Sequence, residues 1–246
     1  MTAVALRETA GLGFEIQTRL SAVDRYNAWI AQQFLPYAGE RVLDVGCAIG
    51  NITRHFLDRE LVVGIDVAAD FVAAISQRFA EFPNFHCEQW NVADVRVRVL
   101  AEDRIDTIVC ANVLEHVEDD GLALTNMRAI LRGGGRLLLL VPAHPFLFGT
   151  MDEADEHFRR YTAATLADRV GIAGFQVERL YPMNALGVVA WFVNGKLLRR
   201  RLIPSTQYGL YNRLVPALAR AERTILRPPV GLSLVCIART PETEAA

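Results

Sequence analysis

The chain has 246 residues, of which 52% are hydrophobic and 22% are charged. This composition is that of a globular protein with a sizeable core, and it excludes a disordered or fibrous chain. The formal net charge of −2 argues against a general nucleic-acid-binding protein. No stretch has the composition of a linker, so we expect one domain over residues 1–246.

Short β-branched segments alternate with longer amphipathic segments along the chain. Apolar residues at helical spacing predict helices over residues 51–58, 70–81, 120–131 and 163–172. The alternation predicts strands at residues 41–45, 62–66, 85–90, 105–111, 136–142, 176–180 and 232–238. Apolar strands separated by helices form a parallel sheet covered on both faces, and the right-handed crossover rule then gives a Rossmann-like, doubly wound α/β fold.

The four cysteines and the N-terminus bear on the cellular compartment. Cys47, Cys87, Cys110 and Cys236 lie far apart and show no metal-ligand spacing, which indicates reduced thiols in a cytoplasmic protein. The first fourteen residues contain Arg7 and Glu8 and have no continuous apolar core, so we expect no secretory signal.

The stretch "VLDVGCAIGN", residues 42–51, follows the first predicted strand and is rich in small residues. Small residues let the backbone approach a ligand at the carboxyl edge of the sheet, where dinucleotides and S-adenosylmethionine both bind. A dinucleotide fingerprint needs a third glycine at position 51, which is Asn51. Asp44, two residues before Gly46, suits a ligand with an ammonium group and would repel a pyrophosphate.

Five segments in order resemble the class I S-adenosylmethionine-dependent methyltransferases: "VLDVGCAIGN", "VVGIDV", "NVAD", "DTIVCANVLEHVEDD" and "LRGGGRLLLLVPA". The resemblance implies a mostly parallel seven-stranded sheet with an antiparallel last strand. It divides the chain into a helical cap (1–40), a core (41–180), a helical insertion or lid (181–231) and the last strand (232–240). "RYNAW" and "MDEADEHFRRYT" are similar to a bacterial subgroup found beside, or fused to, glycosyltransferases.

The resemblance also implies a cofactor site. Gly46, Cys47, Ala48 and Gly50 would lie near the methionine part of S-adenosylmethionine, with Asp44 holding its amino group. Asp66 would take the ribose hydroxyls, and Val67 after it would also contact the cofactor. Asn91 and the amide of Val92 would meet the adenine. Asn112 and His116 would flank the sulfonium, and Tyr26 either closes over the methionine end or packs on the sheet. Ala48 replaces a usual glycine, which costs about 1 kcal/mol if its φ is positive.

Methyl transfer to a hydroxyl requires a destination for the proton, and a histidine with a pKa near neutrality is the expected base. His144 follows the fifth strand and His157 precedes the next helix, and these two are the candidate catalytic residues. Asp152, Glu153, Asp155 and Glu156 adjoin His157; they either form a solvated face or hold a divalent metal, and we assign no metal site.

Arg160 and Tyr161 either bind the acceptor or pair with the acidic residues before them. The insertion holds eight basic residues and one acidic residue, a local charge of +7 that leaves −9 for the rest. The longest charge-free apolar segment of the chain, Leu180 to Gly195, has sixteen residues and is too short to span a bilayer. The helices of the insertion, with Trp191 as a substrate-binding candidate, would form a pocket lid, lie at an anionic membrane surface, or form a homodimer contact.

The expected activity is methyl transfer from S-adenosylmethionine to an oxygen, less readily a nitrogen or carbon, of a sugar, glycolipid or secondary metabolite, leaving S-adenosylhomocysteine. The alternative is a cofactor-binding regulator or scaffold without turnover. No basic strip with stacking aromatics lies beside the predicted pocket, so we expect no nucleic-acid partner. We expect a cytoplasmic protein, with membrane contact limited to the surface.

Overall fold

The computed structural model describes residues 23–202, 205–222 and 228–242. Within them one sheet is built from β1 (Arg41–Val45), β2 (Leu61–Asp66), β3 (Phe85–Gln89), β4 (Thr107–Ala111), β5 (Arg136–Pro142), β6 (Gln176–Met183) and β7 (Ser233–Arg239). The strand order is β3-β2-β1-β4-β5-β7-β6. All pairs are parallel except those of β7, which runs antiparallel to both β5 and β6. The Rossmann-like, doubly wound prediction with an antiparallel last strand is confirmed.

Helices connect the strands. They are α1 (Asp24–Phe34), α2 (Ala69–Arg78), α3 (Asp120–Ile130), α4 (Thr150–Ala154), α5 (Ala163–Ile172), α6 (Ala185–Trp191) and α7 (Ser205–Ala221). Side-chain caps fix two of the predicted starts: Asp119 accepts from the Leu122 amide at 2.9 Å, and Thr162 accepts from the Thr165 amide at 3.1 Å. Such caps satisfy amides that a helix cannot pair internally.

The helix predicted over residues 51–58 is wrong. Only a 3-10 turn, Thr53–His55, forms there. Thr53 is fully buried, and its hydroxyl donates to the Asp44 carboxylate at 2.6 Å. This bond holds the segment against the end of β1 directly after the left-handed Gly50, and the chain then turns at once toward β2. The apolar spacing therefore reflects burial of a turn, and a regular helix does not develop.

The core lies on both faces of the sheet. Val42 and Leu43, adjacent in β1, are fully buried in two different apolar clusters, because successive strand residues point to opposite faces. The same division applies to Val62 and Val63 in β2. Full burial of a valine or leucine side chain contributes about 1.5–3 kcal/mol. This two-sided burial explains why these strands are apolar along their length.

β6 continues to Met183, three residues beyond the predicted end of this strand. α6 passes into a π-helical turn, Phe192–Leu197, and α7 then packs against α1. Asn212 of α7 accepts from the Arg25 amide at 3.1 Å and donates to Asp24 at 2.8 Å. Residues 1–22 of the predicted cap, and two of the basic residues of the insertion, lie outside the described residues. Among the described helices, none is both long and apolar enough to cross a bilayer.

Candidate active site

A cavity of about 2100 Å³ opens at the carboxyl ends of β1, β2 and β4. One wall is formed by the residues that follow these strands, and another by α1 and the insertion, including Asn184, Trp191 and Tyr211. A pocket for one ligand usually has about 300–1,000 Å³. The cavity therefore has room for a nucleoside cofactor and a second molecule.

The turn after β1 brings its backbone close to the cavity through left-handed residues. Gly46 has φ +69°, and a Cβ there would lie 2.4 Å from a methyl of Val113. Ala48 has φ +46°, so the cost expected for an alanine at this position applies. Gly50 has φ +83°, but it packs against Phe79 and does not line the cavity. Cys47 lines the cavity, with its sulfur 3.6 Å from the sulfur of Cys87.

Two carboxylates end adjacent strands at this turn. Asp44 is the second-last residue of β1 and is 3% exposed. Burial raises its pKa to about 7, although the hydrogen bond from Thr53 acts to lower it. Asp66 ends β2 and accepts from the amides of Ala48 and Ala68, both at 3.0 Å. Burial also raises the pKa of Asp66, and these amides act in the opposite direction. A carboxylate has about four acceptor positions, so Asp66 keeps capacity for ligand hydroxyls.

The next part of the same wall carries Val67 and the predicted adenine contacts, Asn91 and Val92. Val67 is 62% exposed and turns an apolar side chain toward the cavity. The side-chain oxygen of Asn91 accepts from the Ala93 amide at 2.9 Å, and the Val92 carbonyl accepts from Asn126 at 2.8 Å. An apolar surface beside a turn with fixed backbone polar groups suits a purine ring.

The turn after β4 adds the residues predicted to flank the sulfonium. Asn112 has φ +54°, and its amide donates to the Leu140 carbonyl at 2.8 Å, which fixes the turn against β5. Asn112 and His116 both line the cavity, as does Tyr26 of α1. The Tyr26 ring packs edge-on against the ring of Tyr211 in α7, with the centroids 5.7 Å apart. Tyr26 therefore both lines the cavity and joins α1 to α7.

The cavity is strongly acidic. Among the described residues, eight carboxylate side chains line it, against the two arginines Arg160 and Arg201 and the histidine His157. Low-dielectric walls of one charge sign concentrate ligands of the opposite sign. The lining therefore favours a cationic ligand such as a sulfonium with an ammonium group, and it disfavours a dinucleotide pyrophosphate.

The structure separates the two histidines predicted as bases. His157 lines the cavity, with its Nδ1 2.9 Å from Asp152 and its Nε2 3.3 Å from Asp155. Burial lowers its pKa, but these carboxylates outweigh burial and raise it to about 9. A base must be unprotonated, so His157 in this arrangement is a poor one at neutral pH. His144 does not line the cavity, and its ring packs against Phe146. Its position outside the cavity lining disfavours the predicted role as a base.

Of the three residues predicted to bind the acceptor, two line the cavity and one does not. Arg160 and Trp191 line the cavity, and the Arg160 guanidinium lies over the Trp191 ring at 4.6 Å. Arg160 donates to Asp152 at 2.7 Å, which is the pairing that we left open. Tyr161 is 1% exposed, does not line the cavity and donates to Asp120 at 2.8 Å. This position disfavours the predicted contact of Tyr161 with the acceptor, because its hydroxyl is buried against Asp120.

The acidic segment after α4 is not simply a solvated face. Asp152 is fully buried, and its carboxylate binds both Arg160 and His157. Burial raises the pKa of Asp152, but the hydrogen bonds to these two cations hold it below its ordinary value. The side chain thereby links the histidine to the wall that Arg160 and Trp191 form.

Glu115 is a site residue that the sequence reasoning missed. It is 1% exposed, lines the cavity, and has its pKa raised to about 7 by burial. The sequence carried a signal, since Glu115 precedes His116 in "VLEH". His157, which has a potential ligand atom within 4.8 Å of one in Glu115, lies on another segment, and only the fold brings the two together.

Comparisons with known proteins agree with this geometry. A family model described as a methyltransferase domain matches residues 43–137. An uncharacterized methyltransferase of Mycobacterium tuberculosis is 28% identical over 137 residues, which cover 55% of this chain and 66% of that protein. A ubiquinone biosynthesis O-methyltransferase of Coxiella burnetii is 28% identical over 111 residues, which cover 43% and 45%. The chain spans about two thirds or less of the length of these relatives.

Among solved structures, an S-adenosylmethionine-dependent methyltransferase from Mesorhizobium loti has the same fold. Its TM-score is 0.56 at 16% identity, with 85% of this chain and 95% of that chain covered. The matched domain spans β1 to the start of β5, which is the part of the sheet that carries Asp44 and Asp66. Residues 43–137 thus match a methyltransferase domain, and the described chain has the Rossmann-like fold of class I S-adenosylmethionine-dependent methyltransferases.

Proposed function

We propose that the protein transfers the methyl group of S-adenosylmethionine to an oxygen of a small polar or amphiphilic acceptor. The observation that carries this proposal is the pair of carboxylates, Asp44 and Asp66, at adjacent strand ends of one acid-rich cavity. The Coxiella relative, named as an O-methyltransferase, supports oxygen as the methylated atom.

The residues present fit the cofactor. Asp44 would bind its ammonium group, because a buried carboxylate without a cationic partner gains most from one. Asp66 would accept from the ribose hydroxyls, and Val67 would cover one face of the adenine. The cofactor supplies an electrophilic methyl group on sulfur. The turns after β1 and β4 then orient the acceptor side of the cavity, and orientation supplies much of the rate in such a displacement.

The wall formed by the insertion suits an acceptor with both apolar and polar parts. Trp191 offers an aromatic face, and Arg160 beside it offers a cation held by Asp152. Asn184 and Gln207 add amide groups to the same wall. A sugar or hydroxylated ring attached to an apolar group would meet each of these surfaces.

The outer surface of the insertion favours a membrane as the source of such an acceptor. Val189, Leu197 and Leu198 are 60%, 64% and 53% exposed, and the basic residues Lys196 and Arg199 lie among them. Apolar side chains interleaved with basic ones favour the surface of an anionic bilayer. The same surface would be covered in a homodimer, which makes oligomeric state one outcome of the test.

The cofactor assignment is tested by calorimetric binding of S-adenosylhomocysteine to Asp66→Ala. We expect a loss of affinity of at least about tenfold, since one charge-assisted hydrogen bond contributes about 1.5–3 kcal/mol. Asp70→Ala is the matched control, because Asp70 is an exposed acid on the same wall. Equal affinities for the two variants would contradict the ribose contact.

The reaction is tested by incubating the protein with a labelled methyl donor and fractionated cell extract. Label in a lipid or sugar fraction supports the proposal. Tight cofactor binding without label in any fraction favours a regulatory or scaffold protein. Label in nucleic acid or peptide would reject the proposed acceptor class.

Membrane contact is tested by flotation with vesicles containing anionic phospholipid. Leu197→Glu combined with Leu198→Glu should reduce binding by at least about tenfold, because a buried leucine contributes about 1.5–3 kcal/mol. Ile172→Glu, on α5 and 87% exposed, should leave binding unchanged. A concentration-dependent dimer that the double substitution abolishes, without vesicle binding, would assign the surface to a second copy instead.

A further inference from the structure

Three side chains that can bind a metal ion meet on the cavity wall. Glu115 and His116 lie in the turn after β4, and His157 follows α4. One potential ligand atom from each lies within 4.8 Å of the others. Atoms bound at about 2.0–2.2 Å to one ion are at most about 4.4 Å apart. The three groups therefore need little movement to share an ion.

The carboxylate of Glu115 has an unsatisfied oxygen. Its side chain is 1% exposed, and Oε2 has no hydrogen-bond partner among the described residues. A buried polar atom without a partner costs about 1–3 kcal/mol, and such atoms are rare in folded proteins. A cation held by the neighbouring histidines would supply the missing partner.

The surroundings of His157 resemble those of a metal-binding histidine. Its Nδ1 lies 2.9 Å from Asp152, and Arg160 fixes that carboxylate at 2.7 Å. Metal-binding histidines usually donate their second ring N–H to a carboxylate in this way, which orients the ring. The other nitrogen, Nε2, lies 3.3 Å from Asp155 on the cavity side.

Two segments far apart in the chain are joined at this point. The Phe158 amide donates to the Glu115 carbonyl at 2.8 Å. The rings of His116 and His157 pack edge-on, with centroids 4.6 Å apart. The backbone thus holds the carboxylate and both imidazoles in register before any ligand binds.

We propose that Glu115, His116 and His157, with Asp155 as a fourth ligand, bind a divalent first-row transition metal ion. Two imidazoles with carboxylates suit zinc, iron or manganese better than calcium or magnesium, which prefer oxygen ligands alone. The group lies on the wall beside Asn112, where the acceptor would approach the cofactor's sulfur.

The ion would act as a Lewis acid on the acceptor hydroxyl and lower its pKa, a role that rests on the proposed methyl transfer. In that step the acceptor oxygen forms a bond to the methyl carbon and loses its proton to solvent. The carbon–sulfur bond breaks, and its electron pair stays on sulfur. Binding of the ion itself does not depend on this role.

The test is a titration of the full chain with Co²⁺, followed by its visible ligand-field absorption. We expect one saturable equivalent with the spectrum of a four- or five-coordinate nitrogen and oxygen site. Glu115→Gln and His116→Gln should each weaken binding by at least about tenfold, and Asp152→Asn by about tenfold through the orientation of His157. Glu118→Gln, an exposed acid on the same wall, is the matched control and should bind as the parent does.

Circular dichroism and thermal melting of each variant keep folding separate from binding. Absence of saturable Co²⁺ binding by the folded parent would overturn the proposal, and so would equal binding by the Glu115→Gln and Glu118→Gln variants. S-adenosylhomocysteine binding is measured on the same samples. If it persists without Co²⁺ binding, only the metal proposal fails; if it is absent as well, the proposed function fails with it. With a metal site present, a chelator should abolish methyl transfer and added ion should restore it.

Discussion

Replacement of Asp44 by asparagine should weaken cofactor binding and stabilise the cofactor-free protein at the same time. Asparagine keeps the shape of the side chain and an oxygen that can accept from the Thr53 hydroxyl. In the parent protein this hydroxyl lies 2.6 Å from the Asp44 carboxylate. The substitution removes only the charge. Because Asp44 is 3% exposed and its pKa is about 7, the charged form is unfavourable in the folded protein until a cation arrives.

The stability effect has a defined pH dependence. The pKa of Asp44 rises from 3.8 in the unfolded chain to about 7 in the folded one, so the folded state binds the proton more tightly. Its stabilising contribution is fully present below the unfolded pKa and is lost as pH rises through the folded pKa. Between pH 5 and pH 7 the loss amounts to about 2–3 kcal/mol, at about 1.4 kcal/mol per pH unit.

Asp44→Asn does not titrate at this position, so its stability relative to the parent should rise by that amount between pH 5 and pH 8. For a chain of this size, the difference in melting temperature should grow by on the order of 5–10 °C. The measurement is thermal unfolding of both proteins without cofactor at the two pH values. Comparing the variants at each pH cancels the titration of all other groups.

The affinity effect is measured by calorimetry near pH 8 with S-adenosylhomocysteine, which keeps the ammonium group. Replacing a charge-assisted hydrogen bond by a neutral one should cost about 1–2 kcal/mol, or about 5- to 30-fold in affinity. Adenosine lacks the amino acid part and should bind both proteins equally. A variant that is less stable near pH 8, or that binds S-adenosylhomocysteine as the parent does, would refute the role given to Asp44.

Two further substitutions test the turn after β1 and the buried hydroxyl of Tyr161. Gly46→Ala places a Cβ 2.4 Å from Val113 at a φ of +69°, so the free energy of unfolding should fall by at least about 2 kcal/mol in chemical denaturation. Gly171→Ala, in α5 with no atom within 4 Å of the added Cβ, is its control and should leave stability equal or higher. Tyr161→Phe removes the donor to Asp120 and should lower stability by about 1–2 kcal/mol while KM for the acceptor stays unchanged. A raised KM without loss of stability would return Tyr161 to the acceptor site.

Much of the cofactor side of the cavity could be predicted from the sequence. Asp44 and Asp66 end predicted strands, and the carboxyl ends of parallel neighbours meet at one edge of a sheet. The positive φ of Ala48 follows from the need for a left-handed residue where the family has glycine. Local pattern sufficed because these residues belong to the strand ends themselves, so strand order fixes their relative positions.

The acceptor side could not be predicted in this way. His144 follows the fifth predicted strand and His157 precedes the next predicted helix, and the two looked equivalent as bases, but of these two only His157 lines the cavity. The acidic segment suggested a solvated face, whereas Asp152 is fully buried between a histidine and an arginine. Periodicity describes which residues of one segment share a face. It carries no information on which two irregular segments meet.

The sequence by itself determined the order of strands and helices, the small-residue turn and the carboxylates at the strand ends. These depend on contacts between near neighbours in the chain and on the regular geometry of a parallel sheet. Only the tertiary structure decided that Glu115 faces His157, that Arg160 stacks on Trp191 and that α7 packs on α1. Those pairs are separated by many residues, and it is burial in the folded chain that selects each side chain's partner.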